Sequence, residues 1–237
     1  MAQSALSDRP VLVLDFGSQF VQLIARKVRE QHAFATIVRH DITPERVREL
    51  DPLAIILSGG PASVYDDRAP KCDPRLFEMN IPVLAICYGM QLACEALGGK
   101  VLASSDREFG RAECRIVAGD EPLFRHVPET MTVWMSHGDQ VNDPGGAFVP
   151  LAATSTCPVA AVRHRDRPVY GLQFHPEVAH TPYGTLILGN FLDHICGSPG
   201  TWTMDKFVDR AVEDIARQVG PSRCSARWSG CRCGHRL

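Results

Sequence analysis

Long apolar runs, an excess of positive charge and a phosphate-binding glycine loop are all missing from this sequence, and each absence removes a class of function. No uninterrupted apolar stretch approaches the roughly 18 residues that a membrane-spanning helix needs. Lysine and arginine number 25 against 27 aspartate and glutamate, so no basic surplus points to nucleic acid or to an anionic membrane. No Gly-x4-Gly-Lys-Ser/Thr pattern occurs, and Asp15-Phe16-Gly17-Ser18-Gln19 holds a single glycine, so no ATP site is legible. The opening residues carry no basic cluster ahead of an apolar core, which argues against a secretory leader. Residues 1–220 show no metal-ligand spacing. Cysteine is plentiful, at nine, but the number is odd and the contexts are apolar. Such thiols fit a reduced, cytoplasmic protein better than a disulfide framework.

What is present is an alternation of short apolar runs with helical patterns. Val11-Leu12-Val13-Leu14, Leu53–Leu57 and Pro82–Ile86 are continuous apolar runs, as parallel strands buried on both faces require. Phe34–Val38 reads as a further strand. Between them, Val21, Ile24, Ala25 and Val28 fall at helical spacing, Thr43-Pro44-Glu45 starts a helix with proline in its first turn, and a helix from about Met90 to Leu97 stops at Gly98-Gly99. The second half reads as strands at Ala112–Val117, Met131–Met135, Val159–Arg163 and Val169–Gln173, joined by turns. Helices follow over Tyr183–Ile195 and Asp205–Val219. The expected fold is therefore α/β: a mostly parallel central sheet flanked by helices, in a flavodoxin-like layering, with an antiparallel extension. The expected organisation is an N-terminal tail over 1–9, the main domain over 10–200, a linker helix over 201–220 and a disordered tail over 221–237. That last segment contains Cys224, Cys231, Cys233 and His235. Its Cys-x6-Cys-x-Cys-x-His spacing lacks the knuckle of a structural zinc site.

Three short motifs carry chemistry. In Pro82–Gln91 a buried strand runs into Cys87, with Gly89 following before the next helix. This is a strand–turn–helix elbow with a thiol at its tip, where a helix N-terminus favours the thiolate. The plainer reading is a buried core thiol, as for Cys94 one helical turn further on. A thiol nucleophile needs a base and the base needs an orienting group. His175-Pro176-Glu177, at the end of a strand, supplies both from one rigid tripeptide. Ser58-Gly59-Gly60-Pro61 ends another strand on the same sheet edge, where ligands of open α/β sheets sit. Adjacent glycines there let a backbone N–H face a developing oxyanion.

Taken in this order, Gly59-Gly60-Pro61, the Cys87 elbow and His175-Pro176-Glu177 resemble the class I (triad) glutamine amidotransferases. Within that class, several segments are similar to the amidotransferase part of the GMP synthase family. They are Leu14–Gln19 with Gln22–Arg26, Ile56–Tyr65, Ile86–Gln91, Phe109–Glu113, Trp134–Asp139 and Phe174–Thr181, with Trp202-Thr203-Met204 trailing. The resemblance implies hydrolysis of L-glutamine to glutamate and ammonia: Cys87 attacks, His175 moves protons, and Glu177 fixes the imidazole. It implies an oxyanion hole near Gly60 and Tyr88, and a glutamine pocket containing Gly59, Gln91, Ser136, His137, Gly138 and Asp139. No metal or cofactor is implied for that step. ATP and Mg²⁺ belong to a synthetase (ATP pyrophosphatase) domain or subunit, in cis or in trans, that aminates xanthosine monophosphate. Where the family elbow begins with glycine this chain has Ala85, small enough to pack behind the turn. The resemblance stops near Pro221-Ser222-Arg223, and the Cys/Arg-rich end looks like a frameshifted or truncated reading frame. A γ-glutamyl peptidase of the same architecture, and an inactive or regulatory fragment, are the alternative readings.

Overall fold

The computed structural model describes residues 9–205 and positions 208, 212, 215 and 216, with the backbone alone at 103–107. The chain divides after Trp202. In the second part Met204, Asp205, Val208, Val212, Ile215 and Ala216 are helical. The remainder of the Asp205–Val219 helix, residues 1–8 and the whole 221–237 tail lie outside the described residues.

The first half alternates strand and helix: β1 (Val11–Asp15), α1 (Val21–Glu30), β2 (Ala35–Arg39), α2 (Pro44–Leu50), β3 (Ala54–Leu57), β4 (Val83–Ile86) and α3 (Tyr88–Ala96). The second half is mostly strand: β5 (Lys100–Ile116), β6 (Thr130–Asp143), β7 (Phe148–Ala153), β8 (Ala161–His164) and β9 (Val169–Leu172), then α4 (Gly184–Asn190). Among the described residues nine strands form one sheet in the order β2-β1-β3-β4-β9-β8-β7-β5-β6. Pairing is parallel from β2 to β9 and antiparallel from β9 to β6.

Period-two alternation divides the core between the two faces of the sheet. Val11 and Val13 of β1 join one cluster with Ile24 and Val28 of α1 and Ile187 of α4. Leu12 and Leu14 join the other, with Val47 of α2 and Met90 and Ala93 of α3. α2 starts where its sequence demands: the Thr43 hydroxyl accepts from Arg46 N at 3.2 Å, and Pro44 occupies the first turn.

Several boundaries differ from expectation. α3 begins at Tyr88 and not near Met90, because no loop separates Cys87 from the helix. β5 and β6 reach far beyond Ala112–Val117 and Met131–Met135. Their polar outer halves pair with each other as a ribbon, from Lys100↔Asp143 through Glu108↔His137 to Arg115↔Thr130. β7, which contains Pro150, was not expected at all. The Tyr183–Ile195 helix is α4 followed by a π turn over Phe191–Ile195.

One contact ties the fold to the segment bearing His175 and Glu177. A β-carbon on Gly184, the first residue of α4, would collide with the Pro176 carbonyl oxygen, so only glycine lets α4 approach that turn. Gly184→Ala is expected to cost about 3 kcal/mol or more in urea unfolding. Gly119→Ala, where a β-carbon meets nothing within 4 Å, is expected to stay within about 0.5 kcal/mol of the parent.

Candidate active site

The carboxyl ends of β3, β4 and β9 meet at one edge of the sheet, and the three motifs arrive there together. β4 delivers Cys87 in a left-handed conformation, φ 51° and ψ −109°, costly for a residue with a β-carbon. The turn is held from both sides. Cys87 N donates to Leu172 O of β9 at 2.7 Å, and Cys87 O accepts from Gln91 N at 3.2 Å as α3 begins. The thiol lies 3.6 Å from Ser136 O and 3.7 Å from Gln173 Nε2. Tyr88 is the first residue of α3, so its amide has no acceptor within the helix.

His175 follows β9 by three residues. Its amide donates to Trp134 O at 3.0 Å, and its carbonyl accepts from the Thr181 hydroxyl at 2.7 Å. That hydroxyl also receives Trp134 N at 3.0 Å, which staples the His175–Thr181 loop to β6. His175 Nδ1 lies 2.8 Å from Glu177 Oε1, leaving Nε2 for the sulfur side. Glu177 is buried, and its Oε2 has no partner among the described residues. Phe20 meets the imidazole edge to face with ring centroids 5.5 Å apart. Burial pulls the His175 pKa down, but hydrogen bonding to Cys87 and Glu177 outweighs it and raises the group to about 10. Gly59 lies beneath both side chains: a β-carbon there would sit 3.1 Å from His175 Cε1 and 3.7 Å from Cys87 Cβ.

In front of these groups is a cleft of about 520 Å³. Cys87, Tyr88, His175, Gly60, Gln91 and the Ser136–Asp139 segment all line it. Two of the expected residues do not: Gly59 forms the floor behind the thiol, and Glu177 backs His175. Ser136–Asp139 continues β6 beyond the expected Met131–Met135, and Gln91 Nε2 reaches across to Asp139 O at 2.7 Å. At Gly60 a β-carbon would lie 2.8 Å from Phe16 O, so glycine lets the backbone itself form the wall.

The sequence motifs missed Gln173, Phe20 and Thr181. Gln173, next to the His-Pro-Glu tripeptide, is fully buried and bridges Cys87 to Gln91.

The family profile described as glutamine amidotransferase class-I matches residues 12–195. This chain belongs to the class I glutamine amidotransferases. It is 46% identical over 220 residues to a protein named GMP synthase [glutamine-hydrolyzing] from Caldanaerobacter subterraneus subsp. tengcongensis, covering 93% of this chain and 43% of that one. It is 48% identical over 225 residues to the protein of the same name from Syntrophomonas wolfei, covering 95% and 44%. The chain thus spans less than half the length of the curated relatives it matches. Among solved structures, a protein described as a GMP synthase subunit, from Thermoplasma acidophilum, superposes with a TM-score of 0.70 at 28% identity, over 85% of this chain and 98% of that one. A Thermotoga maritima glutamine amidotransferase, at 20% identity and a TM-score of 0.60 over 90% of this chain and 91% of that one, shares the fold. The amidotransferase fold explains why the parallel strands, and not the ribbon, present the reactive groups: their carboxyl ends converge on one edge.

Proposed function

We propose that this chain hydrolyses L-glutamine to glutamate and ammonia. The observation that carries the reading is the Cys87 thiol at a strained strand–helix turn beside an imidazole whose far nitrogen is held by a buried carboxylate. The Cys87 sulfur, its proton held on His175 Nε2, attacks the γ-carboxamide carbon. The oxyanion that forms faces the Tyr88 amide and the Gly60 backbone, each such donor being worth roughly 3–4 kcal/mol. The imidazolium then protonates the departing nitrogen, the carbon–nitrogen bond breaks and ammonia leaves a thioester. Water, losing a proton to His175, cleaves that thioester and returns the thiol. Glu177 holds the imidazole in the tautomer that both proton transfers need. Gln91 and the 136–139 backbone are the groups available to orient the amino-acid end of the substrate. The step needs no metal or cofactor.

The ammonia is proposed to serve amination of xanthosine monophosphate by a synthetase part in cis or in trans, with ATP and Mg²⁺ acting there. The names of the relatives support this place in guanine nucleotide synthesis, and 43–44% coverage of their length leaves room for such a part.

The test is release of glutamate and ammonia from glutamine, with one equivalent of a glutamine-mimicking electrophile captured on Cys87. Hydrolysis of γ-glutamyl peptides in preference to free glutamine would overturn the reading in favour of a peptidase. An unlabelled Cys87 in folded protein would overturn it in favour of an inactive domain.

A further inference from the structure

Glu108 is a half-buried carboxylate that the reaction above does not use. It lies on β5 directly opposite His137 of β6, at a break in the ribbon's register. Ala103 pairs with Asp139 and Glu108 with His137, so residues 104–107 stand opposite Gly138 alone. Such a bulge frees the strand edge and re-aims the residues that follow it. Glu108 closes the bulge by gathering three donors. His137 Nε2 is 3.1 Å from one oxygen, and the hydroxyls of Thr154 and Thr156 reach the other. Thr154 in turn closes its own turn, with its amide on Cys157 O at 2.8 Å and its hydroxyl receiving Cys157 N at 2.9 Å. A single carboxylate therefore joins the loop after β7 to the strand that lines the cleft.

That strand touches the site at two points on either side of His137. Ser136 O faces the Cys87 thiol at 3.6 Å, and Asp139 O holds the Gln91 amide at 2.7 Å. His137 is buried between them, and its Nδ1 finds no partner among the described residues. Its attachment to Glu108 is thus the side-chain hydrogen bond that fixes it. We propose that Glu108 is a positioning residue: through His137 it holds the Ser136–Asp139 backbone at the height in the cleft that glutamine binding requires. This rests on the glutaminase reading. The Cys157 thiol belongs to the same cluster, since Glu108, His137 and Cys157 offer donor atoms all within 4.8 Å of one another. The carboxylate is already engaged by three hydrogen bonds, which favours the hydrogen-bonded arrangement over a shared ion.

The amide of Glu108→Gln can still accept the imidazole N–H but leaves the hydroxyls of Thr154 and Thr156 without their acceptor. Glu108→Ala removes every contact. KM for glutamine is expected to rise about tenfold in Glu108→Ala and about threefold in Glu108→Gln, with kcat in both within about threefold of the parent. Should Glu108→Ala fail to fold, Glu108→Gln and Thr156→Val carry the same expectation in milder form. Amide exchange across Ser136–Asp139 is expected to quicken about tenfold in Glu108→Ala while β4 stays unchanged. Folded variants with parental KM and unaltered exchange would overturn the proposal, as would a fall in kcat at constant KM. One equivalent of zinc in the purified parent, lost in Glu108→Gln, would also overturn it in favour of a metal site. If the parent itself releases no glutamate, the glutaminase reading fails, whereas the exchange measurement still decides the role of Glu108.

Discussion

Replacing Cys87 by alanine is expected to reduce glutamine hydrolysis by at least about 10⁴-fold, while Cys94→Ala leaves turnover within about twofold of the parent. The two thiols are seven residues apart and both buried, so accessibility alone does not separate them. Position does. Cys87 lines the cleft with its sulfur among Ser136 O, Gln173 and His175. Cys94 lies fully buried on α3, where burial pushes its thiol up to about 12, and it is expected to cost roughly 1–2 kcal/mol of stability when truncated. Cys72, Cys114 and Cys157 are likewise raised to about 12 by burial. A limiting dose of iodoacetamide should therefore modify Cys87 ahead of Cys72, Cys94, Cys114 and Cys157, as peptide mapping can check. The turn adds a second signature. A φ of 51° strains any residue carrying a β-carbon, so Cys87→Gly is expected to be about 1 kcal/mol more stable than Cys87→Ala though equally inactive. Equal loss of turnover in the Cys87 and Cys94 variants would show that the elbow geometry is not what makes the nucleophile.

The parallel half of the sheet was legible because strands covered on both faces leave no room for polar residues: Val11–Leu14, Ala54–Leu57 and Val83–Ile86 are continuous apolar runs. The reactive groups were legible for a related reason. Cys87 follows such a run directly, Gly59 comes two residues after another, and His175 three residues past β9, so locating the strand ends located the residues. The ribbon was hidden by its own function. Phe109 and Ser136–Asp139 border the cleft, and the two backbones satisfy each other across the pair outside 104–107. Without apolar alternation, nothing separates such a ribbon from a loop. β7 was masked by Pro150, which counts against a strand interior but is accommodated beside a register shift between Pro150 and Ala152. Glu108 and Gln173 escaped notice because polar residues are ordinarily solvated, and their partners are supplied from 29 and 82 positions away. Long-range pairing of that kind leaves no local pattern.

Glu177→Gln is expected to lower glutamine turnover about 10²- to 10⁴-fold and to move the alkaline limb of the rate profile to lower pH. Glu177 is 1% exposed, and its one hydrogen-bonded oxygen accepts from His175 Nδ1 at 2.8 Å. An amide in its place either accepts that N–H without the charge or turns its NH₂ toward the ring. The second arrangement forces the ring proton onto Nε2 and leaves nothing to receive the thiol proton. The charge itself matters for pH. In the parent, hydrogen bonds to Cys87 and Glu177 overcome burial and raise His175 to about 10, above the usual histidine value of about 6.5. A raised folded-state pKa means that folding binds this proton more tightly. The stabilisation it brings is complete below about pH 6.5 and fades as pH climbs through about 10. Removing the carboxylate withdraws one of the two raising contributions, so the proton leaves earlier and the upper end of that window contracts. Near neutral pH the variant should therefore melt below the parent, with the deficit narrowing as the parent approaches pH 10 and loses the same proton. In the parent, deprotonation at that end leaves a buried carboxylate beside a neutral ring, a burden the amide does not carry. Melting curves between about pH 6.5 and about pH 10, set beside kcat/KM over the same range, test both halves. A deficit that stays constant across that range would mean that Glu177 acts through shape alone and not through its charge on His175.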